Sequence, residues 1–153
     1  MRNQKKLLVE QLDKKLTNFK AAGLVILPQK GWINSIRTTL NMTRDQLGTK
    51  LDLTKGAIQK IEDREATGQI TINKLKDVGK ALDMQFVYGF VPKDESIDNL
   101  VNTKSLALAR KIVLRTNQNM KLESQGIGDE KINETIKDLA NEIKREMRKS
   151  LWD

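Results

Sequence analysis

The amino-acid sequence predicts a mostly α-helical protein that contains one short strand or strand pair. Two observations predict the helices: apolar residues recur every three or four positions, and threonine or serine precedes several of these segments, where a helix N-cap is favoured. One run after residue 83 instead alternates in the pattern of a strand. At 153 residues, the chain is long enough for one ordinary domain and an appendage.

The first predicted element is an N-terminal amphipathic helix within residues 2–20. Its apolar stripe is formed by Leu8, Leu12, Leu16 and Phe19, and the opposite face is rich in lysine and glutamine. Gly23, Pro28 and Gly31 then interrupt the chain around an apolar run at 24–27. We assign residues 1–28 to this helix and its connector.

A compact domain of four to five helices is predicted in residues 29–94. Four of its helices are placed at residues 32–40, 44–51, 55–63 and 72–82, and the last three follow possible caps at Thr43, Thr54 and Thr71. A strand then runs to Pro92 with Met84, Phe86, Tyr88 and Phe90 on one face. Residues 24–27 are the candidate partner of this strand.

Residues 95–153 are predicted to form a C-terminal helical extension. One helix should begin after a Ser96 cap, and a break at 126–128 should separate it from a last helix. The last helix has a narrow apolar stripe at Ile132, Ile136, Leu139, Ile143 and Met147. Such a stripe suits either a helix pair between molecules or the groove of a partner, and both alternatives stay open.

The composition favours a polyanionic partner and disfavours most enzyme classes. Lysine and arginine outnumber aspartate and glutamate by 28 to 20, which gives a formal charge of +8. The absence of cysteine and histidine removes thiolate nucleophiles, the commonest general base and the commonest metal ligands. We therefore expect no catalytic residue, metal or cofactor.

Two further features complete these expectations. Glu62, Asp63 and Glu65 are the best candidates for an acidic catalytic group, but we place them in a solvated turn at the end of a helix. The N-terminus is charged throughout and no apolar run approaches the length of a membrane span. We expect a soluble cytoplasmic protein without a membrane partner.

The stretch MTRDQLGTKLDLTKGAIQKIE, residues 42–62, carries the strongest functional pattern. It contains two helix starts about a dozen residues apart, and its apolar residues Leu47, Leu51, Leu53, Ile58 and Ile61 can meet in one core if the chain bends between them. Gly48 suits the closest approach of the two helices, and Asp52 occupies the turn position that glycine usually takes. This pattern predicts a helix-turn-helix.

The predicted bend turns one face of its second helix outward. That face carries Lys55, Gly56, Gln59 and Lys60, so it is basic and contains no carboxylate. An exposed basic helix of this kind fits the major groove of duplex DNA.

The bend resembles the phage-repressor or Xre type of helix-turn-helix. The longer frame, GWINSIRTTLNMT at 31–43 with IEDREATGQITINKLKDVGKALDMQFVYGFVP at 61–92, resembles the mobile mystery protein A family. With the LDKKL and ALARK segments, the likeness covers roughly residues 7–120. The resemblance implies a DNA-binding regulator that is the antitoxin-side partner of a Fic-domain toxin.

The resemblance also assigns roles within the bend. By similarity to the repressor type, Thr43, Arg44 and Thr54 should contact backbone phosphates. Lys55, Gln59 and Lys60 should reach base edges or nearby phosphates, whereas Gly56 offers no side chain, so that direct readout is thinner or the backbone approaches more closely.

The sequence therefore predicts an autoregulating transcriptional regulator, such as a repressor, that binds duplex DNA sequence-specifically. Because one bend reads only a few base pairs, we expect a homodimer on an inverted-repeat operator. Its contact is placed on the strand and the 97–115 helix, while residues 129–153 are left for a partner or a mobile tail. The alternative is a protein-binding antitoxin that inhibits a Fic-type enzyme, with DNA binding secondary or absent.

Overall fold

The computed structural model describes residues 2–122 and 128–153, and within them the chain is almost entirely helical. Seven α-helices are present there: α1 (Arg2–Leu16), α2 (Trp32–Thr39), α3 (Arg44–Leu51), α4 (Lys55–Thr67), α5 (Ile72–Ala81), α6 (Ile97–Leu122) and α7 (Asp129–Glu146). Short 3₁₀ helices occupy Thr17–Phe19, Ala21–Leu24 and Lys149–Trp152. The predicted mostly α-helical class is confirmed.

The chain divides into two compact units. One unit is Leu24–Tyr88 and contains α2 to α5; the other joins Met1–Gly23 to Gly89–Asp153 and contains α1, α6 and α7. The N-terminal helix and the C-terminal extension, which were predicted as separate segments, thus belong to one unit. None of the helices in the described part of the chain has the length and apolar character needed to cross a membrane.

The core of the Leu24–Tyr88 unit gathers apolar residues from all four of its helices. The buried members are Ile33, Leu47, Ile58, Ile61, Val78 and Leu82. Leu51 packs against them while partly buried, but Leu53 remains exposed in the turn. The predicted core of the bend is therefore confirmed except for Leu53, which the turn directs towards solvent.

The second unit is held together by the packing of α6 against α7. Its buried residues are Val101, Ala109, Val113, Ile132, Ile136, Ala140, Ile143 and Leu151. Leu139 and Met147 pack beside them, so the whole predicted stripe of the last helix lies against this core. The stripe is buried by the chain itself and needs no partner molecule to cover it.

Helix N-caps follow the predicted pattern, and two caps come from distant residues. The hydroxyl oxygens of Thr43, Thr54, Thr71 and Ser96 accept hydrogen bonds from backbone N–H groups three residues later. The Asp13 carboxylate also accepts from the Ile97 and Asp98 N–H groups at 2.6 and 3.1 Å, and Glu65 accepts from the Ile33 N–H at 2.8 Å. Side chains from α1 and α4 thereby stabilise the first turns of α6 and α2.

The predicted strand pair is not seen in the described residues. Residues 84–91 run without helix or strand pairing, and the candidate partner at 24–27 begins with the last residue of a 3₁₀ helix and continues as an exposed irregular segment. The predicted strand is not formed, because a strand requires a neighbouring backbone in register, and neither segment supplies one to the other. Most of the predicted break at 126–128 lies outside the described residues.

Candidate nucleic-acid interface

Helix α3 of the helix-turn-helix begins with a reciprocal cap. The Thr43 hydroxyl accepts a hydrogen bond from the Gln46 N–H, and the Gln46 side chain accepts from the Thr43 N–H at 2.9 Å. This capping box fixes the start of α3. At its end, Asp52 adopts the left-handed conformation with φ of 57°, as the turn requires.

Gly48 allows the turn to close tightly. The Leu53 N–H donates to the Gly48 carbonyl at 2.8 Å, and a methyl group built on Gly48 would overlap the Leu53 carbonyl oxygen. The side chain of Ile58 lies on the same side at 3.5 Å from that methyl position. Glycine is therefore required at this position, but the group that it accommodates is the turn backbone at Leu53 and not, as predicted, the second helix.

The start of α4 presents polar groups to solvent. The Thr54 hydroxyl accepts from the Ala57 N–H at 3.1 Å, and its own O–H has no acceptor among the described residues. The N–H groups of Lys55 and Gly56 lie in the first turn and have no intrahelical acceptor. Such a helix start attracts anions because its N–H groups and helix dipole are both directed outward.

The predicted outward face of α4 is exposed along its first two turns. Lys55, Gly56, Gln59 and Lys60 are all exposed, and their spacing places them on one side of the helix. A methyl group built on Gly56 would meet no described atom within 4 Å. Asp63, one turn after Gln59, is also exposed, so the stretch without a carboxylate ends at residue 60.

Arg44 differs from the other predicted contact residues because it already holds an ion pair. Its Nε donates to the Glu62 Oε2 at 2.9 Å, and the Arg37 Nε donates to the Glu62 Oε1 at 2.6 Å. The Glu62 side chain is 3% exposed and the Arg44 side chain 33%. Among the described residues only the Nε of Arg44 is engaged, which leaves its two Nη groups available to an external acceptor.

The two arginines keep Glu62 ionised inside the protein. Burial by itself raises the pKa of the Glu62 carboxyl, but hydrogen bonds from Arg37 and Arg44, together with their positive charges, outweigh it and leave the pKa below its ordinary value. Arg37 also donates through Nη1 to the Met42 carbonyl at 2.9 Å. This network ties α2, α3 and α4 together.

The placement of Glu62, Asp63 and Glu65 in a solvated turn was wrong. All three lie inside α4, which continues to Thr67, and Glu62 is buried while Glu65 caps α2. A signal for the buried pair was present in the sequence: Arg37 follows Ile33 by four residues on the apolar side of its helix, and Glu62 directly follows Ile61. A charge at such a position predicts a buried partner of opposite charge.

The structure thus brings all seven predicted contact residues to α3 and α4. Thr43 and Arg44 lie at the start of α3, whereas Thr54, Lys55, Gly56, Gln59 and Lys60 follow one another along the start of α4. In the described part of the chain, no group of three or more carboxylates gathers as a metal site would require. Comparison of the chain with protein-family models, with curated proteins and with solved structures gave no match.

Proposed function

We propose that this protein is a repressor-like helix-turn-helix regulator that binds duplex DNA with the exposed face of α4. The observation that carries the proposal is the exposed, basic first half of α4, which the capped turn holds at the surface while Ile58 and Ile61 bury its other side. A helix held in this way can enter a major groove without unfolding any part of the core.

The chemistry of the face divides into phosphate and base contacts. Thr43, Arg44 and Thr54 stand at helix starts, where hydroxyl, guanidinium and N–H donors suit phosphate oxygens. Lys55 and Lys60 carry donors for guanine O6 and N7, and Gln59 can pair with adenine N6 and N7. Gly56 permits a close approach of the α4 backbone to the duplex.

A single α4 covers too few base pairs for useful specificity, so the proposed regulator acts as a homodimer on an inverted repeat. Half-site centres about 34 Å apart, or a multiple of this distance, would place two copies on one side of B-DNA. The motif resemblance supports a further proposal, in which the protein regulates its own gene and partners a Fic-domain toxin.

A second candidate function is favoured by one specific observation. Residues 24–27 expose four consecutive apolar side chains, and such a run is more typical of a protein-binding surface than of a DNA-binding one. The protein could then inhibit a Fic-type enzyme by direct contact, with DNA binding secondary or absent.

Salt-dependent binding to a mixed-sequence duplex separates the two functions. For the DNA-binding regulator, the logarithm of the binding constant should fall linearly with the logarithm of salt concentration, by about 0.9 for each phosphate contacted. Fluorescence anisotropy of a labelled duplex between low and physiological salt measures this slope. A protein that shows no duplex binding at low salt would leave only the protein-binding alternative.

A further inference from the structure

The segment 84–90 has the pattern of a strand but no neighbouring strand in the described structure. Met84, Phe86, Tyr88 and Phe90 alternate with Gln85, Val87 and Gly89. The rings of Phe86 and Tyr88 stack with centroids 6.1 Å apart, as two residues on the same side of an extended chain would. The two rings therefore share one side of the segment, and in the described structure the segment forms no strand ladder.

Helix α5 provides a support for the start of this segment. The Met84 N–H donates to the Gly79 carbonyl at 2.7 Å, and a methyl group built on Gly79 would lie 3.1 Å from the Met84 carbonyl oxygen. Glycine at this position lets the chain pass close to the helix. A strand needs a helix or a further sheet layer behind it to be stable in water, and α5 can serve as part of that layer.

The exposed apolar surface of the segment is large for a chain of this length. Phe90 is 83% exposed, and Met84, Val87 and Tyr88 are also exposed. Since an aromatic side chain offers about 150–250 Å² for burial, the segment presents about 500 Å² in total. A stable interface buries about 600–1,000 Å² on each partner, so this surface is large enough to form a substantial part of one.

We propose that residues 84–90 pair as an antiparallel strand with the same residues of a second copy of this chain. Val87 lies midway along the segment, between Phe86 and Tyr88. A two-fold axis at Val87 places Phe86 opposite Tyr88 of the partner subunit and Met84 opposite Phe90 of the partner subunit. Every residue of the apolar face then meets an apolar residue, and cross-strand aromatic pairs of this kind stabilise sheets. No other centre of symmetry pairs all four.

This interface deepens the proposed function and rests on it in one respect: reading an inverted repeat requires two copies related by a two-fold axis. A strand paired with its own copy is isologous, so it closes at a dimer and generates that axis.

Sedimentation velocity with two charge-matched variants tests the interface. Phe90→Lys changes a side chain that is 83% exposed in the isolated chain, whereas Leu24→Lys changes one that is 86% exposed in the other apolar segment. The wild type should be a dimer, and F90K should raise its dissociation constant by at least about a hundredfold, because symmetry removes the burial of two phenyl rings. L24K should sediment as the wild type does.

A cysteine reporter gives a second measurement that does not depend on losing the dimer. The chain contains no cysteine, so Val87→Cys introduces a single thiol at the proposed axis. Residues directly opposite in an antiparallel pair have Cβ atoms about 4.5–5.5 Å apart, close to disulfide reach. Mild oxidation should link V87C into covalent dimers, while Leu24→Cys should stay unlinked.

Several outcomes would overturn the interface. They are a monomeric wild type, a V87C variant that links no faster than L24C, or a dimer that L24K dissociates and F90K does not.

Duplex binding measured in parallel distinguishes failure of the interface from failure of the proposed function. A monomer that binds duplex DNA removes this interface and the proposed homodimer but retains the proposed DNA binding by α4. A V87C-linked dimer without duplex binding retains the interface and removes the proposed DNA binding.

Discussion

Gly56 lies on the exposed face of α4 at a position where a side chain would meet open space. No described atom lies within 4 Å of a methyl group built there, so packing inside the chain does not require glycine. Glycine in a helix is less favourable than alanine because it loses more backbone entropy on folding. Its presence therefore fits a close approach of the α4 backbone to DNA.

We expect Gly56→Ala to separate folding from binding. The free energy of unfolding should rise by about 0.5–1 kcal/mol, since alanine is the better helix former. Affinity for duplex DNA should fall by about tenfold, because the added methyl group keeps the backbone from the duplex. Urea denaturation and fluorescence anisotropy measure the two effects.

The control for Gly56 is Gly128→Ala, at another glycine with open space around it but in the other unit of the chain. It should leave duplex affinity unchanged. If G56A binds DNA as tightly as the wild type, the backbone of α4 does not approach the duplex at this position.

Glu62 supports both the fold and the position of Arg44. Glu62→Gln removes the charge between Arg37 and Arg44 while keeping the shape of the side chain. The free energy of unfolding should fall by about 3–5 kcal/mol, because the buried Arg37 charge loses its partner. Asp63→Asn, an exposed neighbour on the same helix, should change it by less than about 0.5 kcal/mol. Equal effects of the two variants in urea denaturation would contradict the role of Glu62.

The pH dependence of the free energy of unfolding gives a second test of the role of Glu62. Because the pKa of Glu62 is lowered in the folded protein, its contribution is fully present above the ordinary carboxyl pKa and is lost as pH falls through the folded pKa. The difference in unfolding free energy between the wild type and E62Q should therefore shrink on acidification. Urea titrations from pH 7 down to about pH 3 test this sign. A constant difference would show that Glu62 does not titrate with a lowered pKa.

Among the elements, the start of α6 depends on a side chain from α1. Asp13 accepts from the Ile97 and Asp98 N–H groups, two donors that the helix itself leaves unpaired. Asp13→Ala should lower the free energy of unfolding by about 1–2 kcal/mol, as loss of a cap does. Amide hydrogen exchange at residues 97 and 98 should also become faster. The control is Glu10→Ala, an exposed carboxylate one turn earlier, and equal effects of both variants would contradict the cap.

Local patterns were sufficient to predict most helices. Apolar periodicity and threonine caps placed α3 and α4 to within a few residues, because an N-cap and an apolar stripe are recorded in neighbouring positions. The end of α4 was missed: the helix continues to Thr67, where Gly68 with φ of 81° ends it. The predicted end at residue 63 ignored this glycine.

Long-range partners could not be predicted in the same way. Asp13 caps a helix 84 residues later and Glu65 caps one 32 residues earlier, and no local pattern connects such residues. The prediction of a strand at 84–91 was wrong for a related reason, since a strand exists only when a second backbone lies beside it. The candidate site itself was accessible to sequence reasoning because all its exposed residues lie within one continuous stretch.

In the whole molecule, the two compact units bury their apolar residues in separate cores. The Leu24–Tyr88 unit contains α3 and α4, and the other unit contains α1, α6 and α7. The proposed DNA-binding face lies wholly in the Leu24–Tyr88 unit. The proposed strand interface begins in that unit and continues for two residues beyond it, to Phe90. Changes in α7 should therefore act on stability and leave duplex binding unchanged.

The most direct test of the central claim is the salt dependence of duplex binding by a Lys55→Ala, Lys60→Ala double variant. Its charge-matched control is Lys131→Ala, Lys137→Ala, which removes two exposed lysines from α7. With α4 on the duplex, the first variant should bind more weakly by about 1–3 kcal/mol per lysine that reads a base, and its salt slope should decrease by up to about two units. The control should match the wild type in both quantities. If instead the two double variants lose affinity equally, or neither loses any, the exposed face of α4 does not bind the duplex.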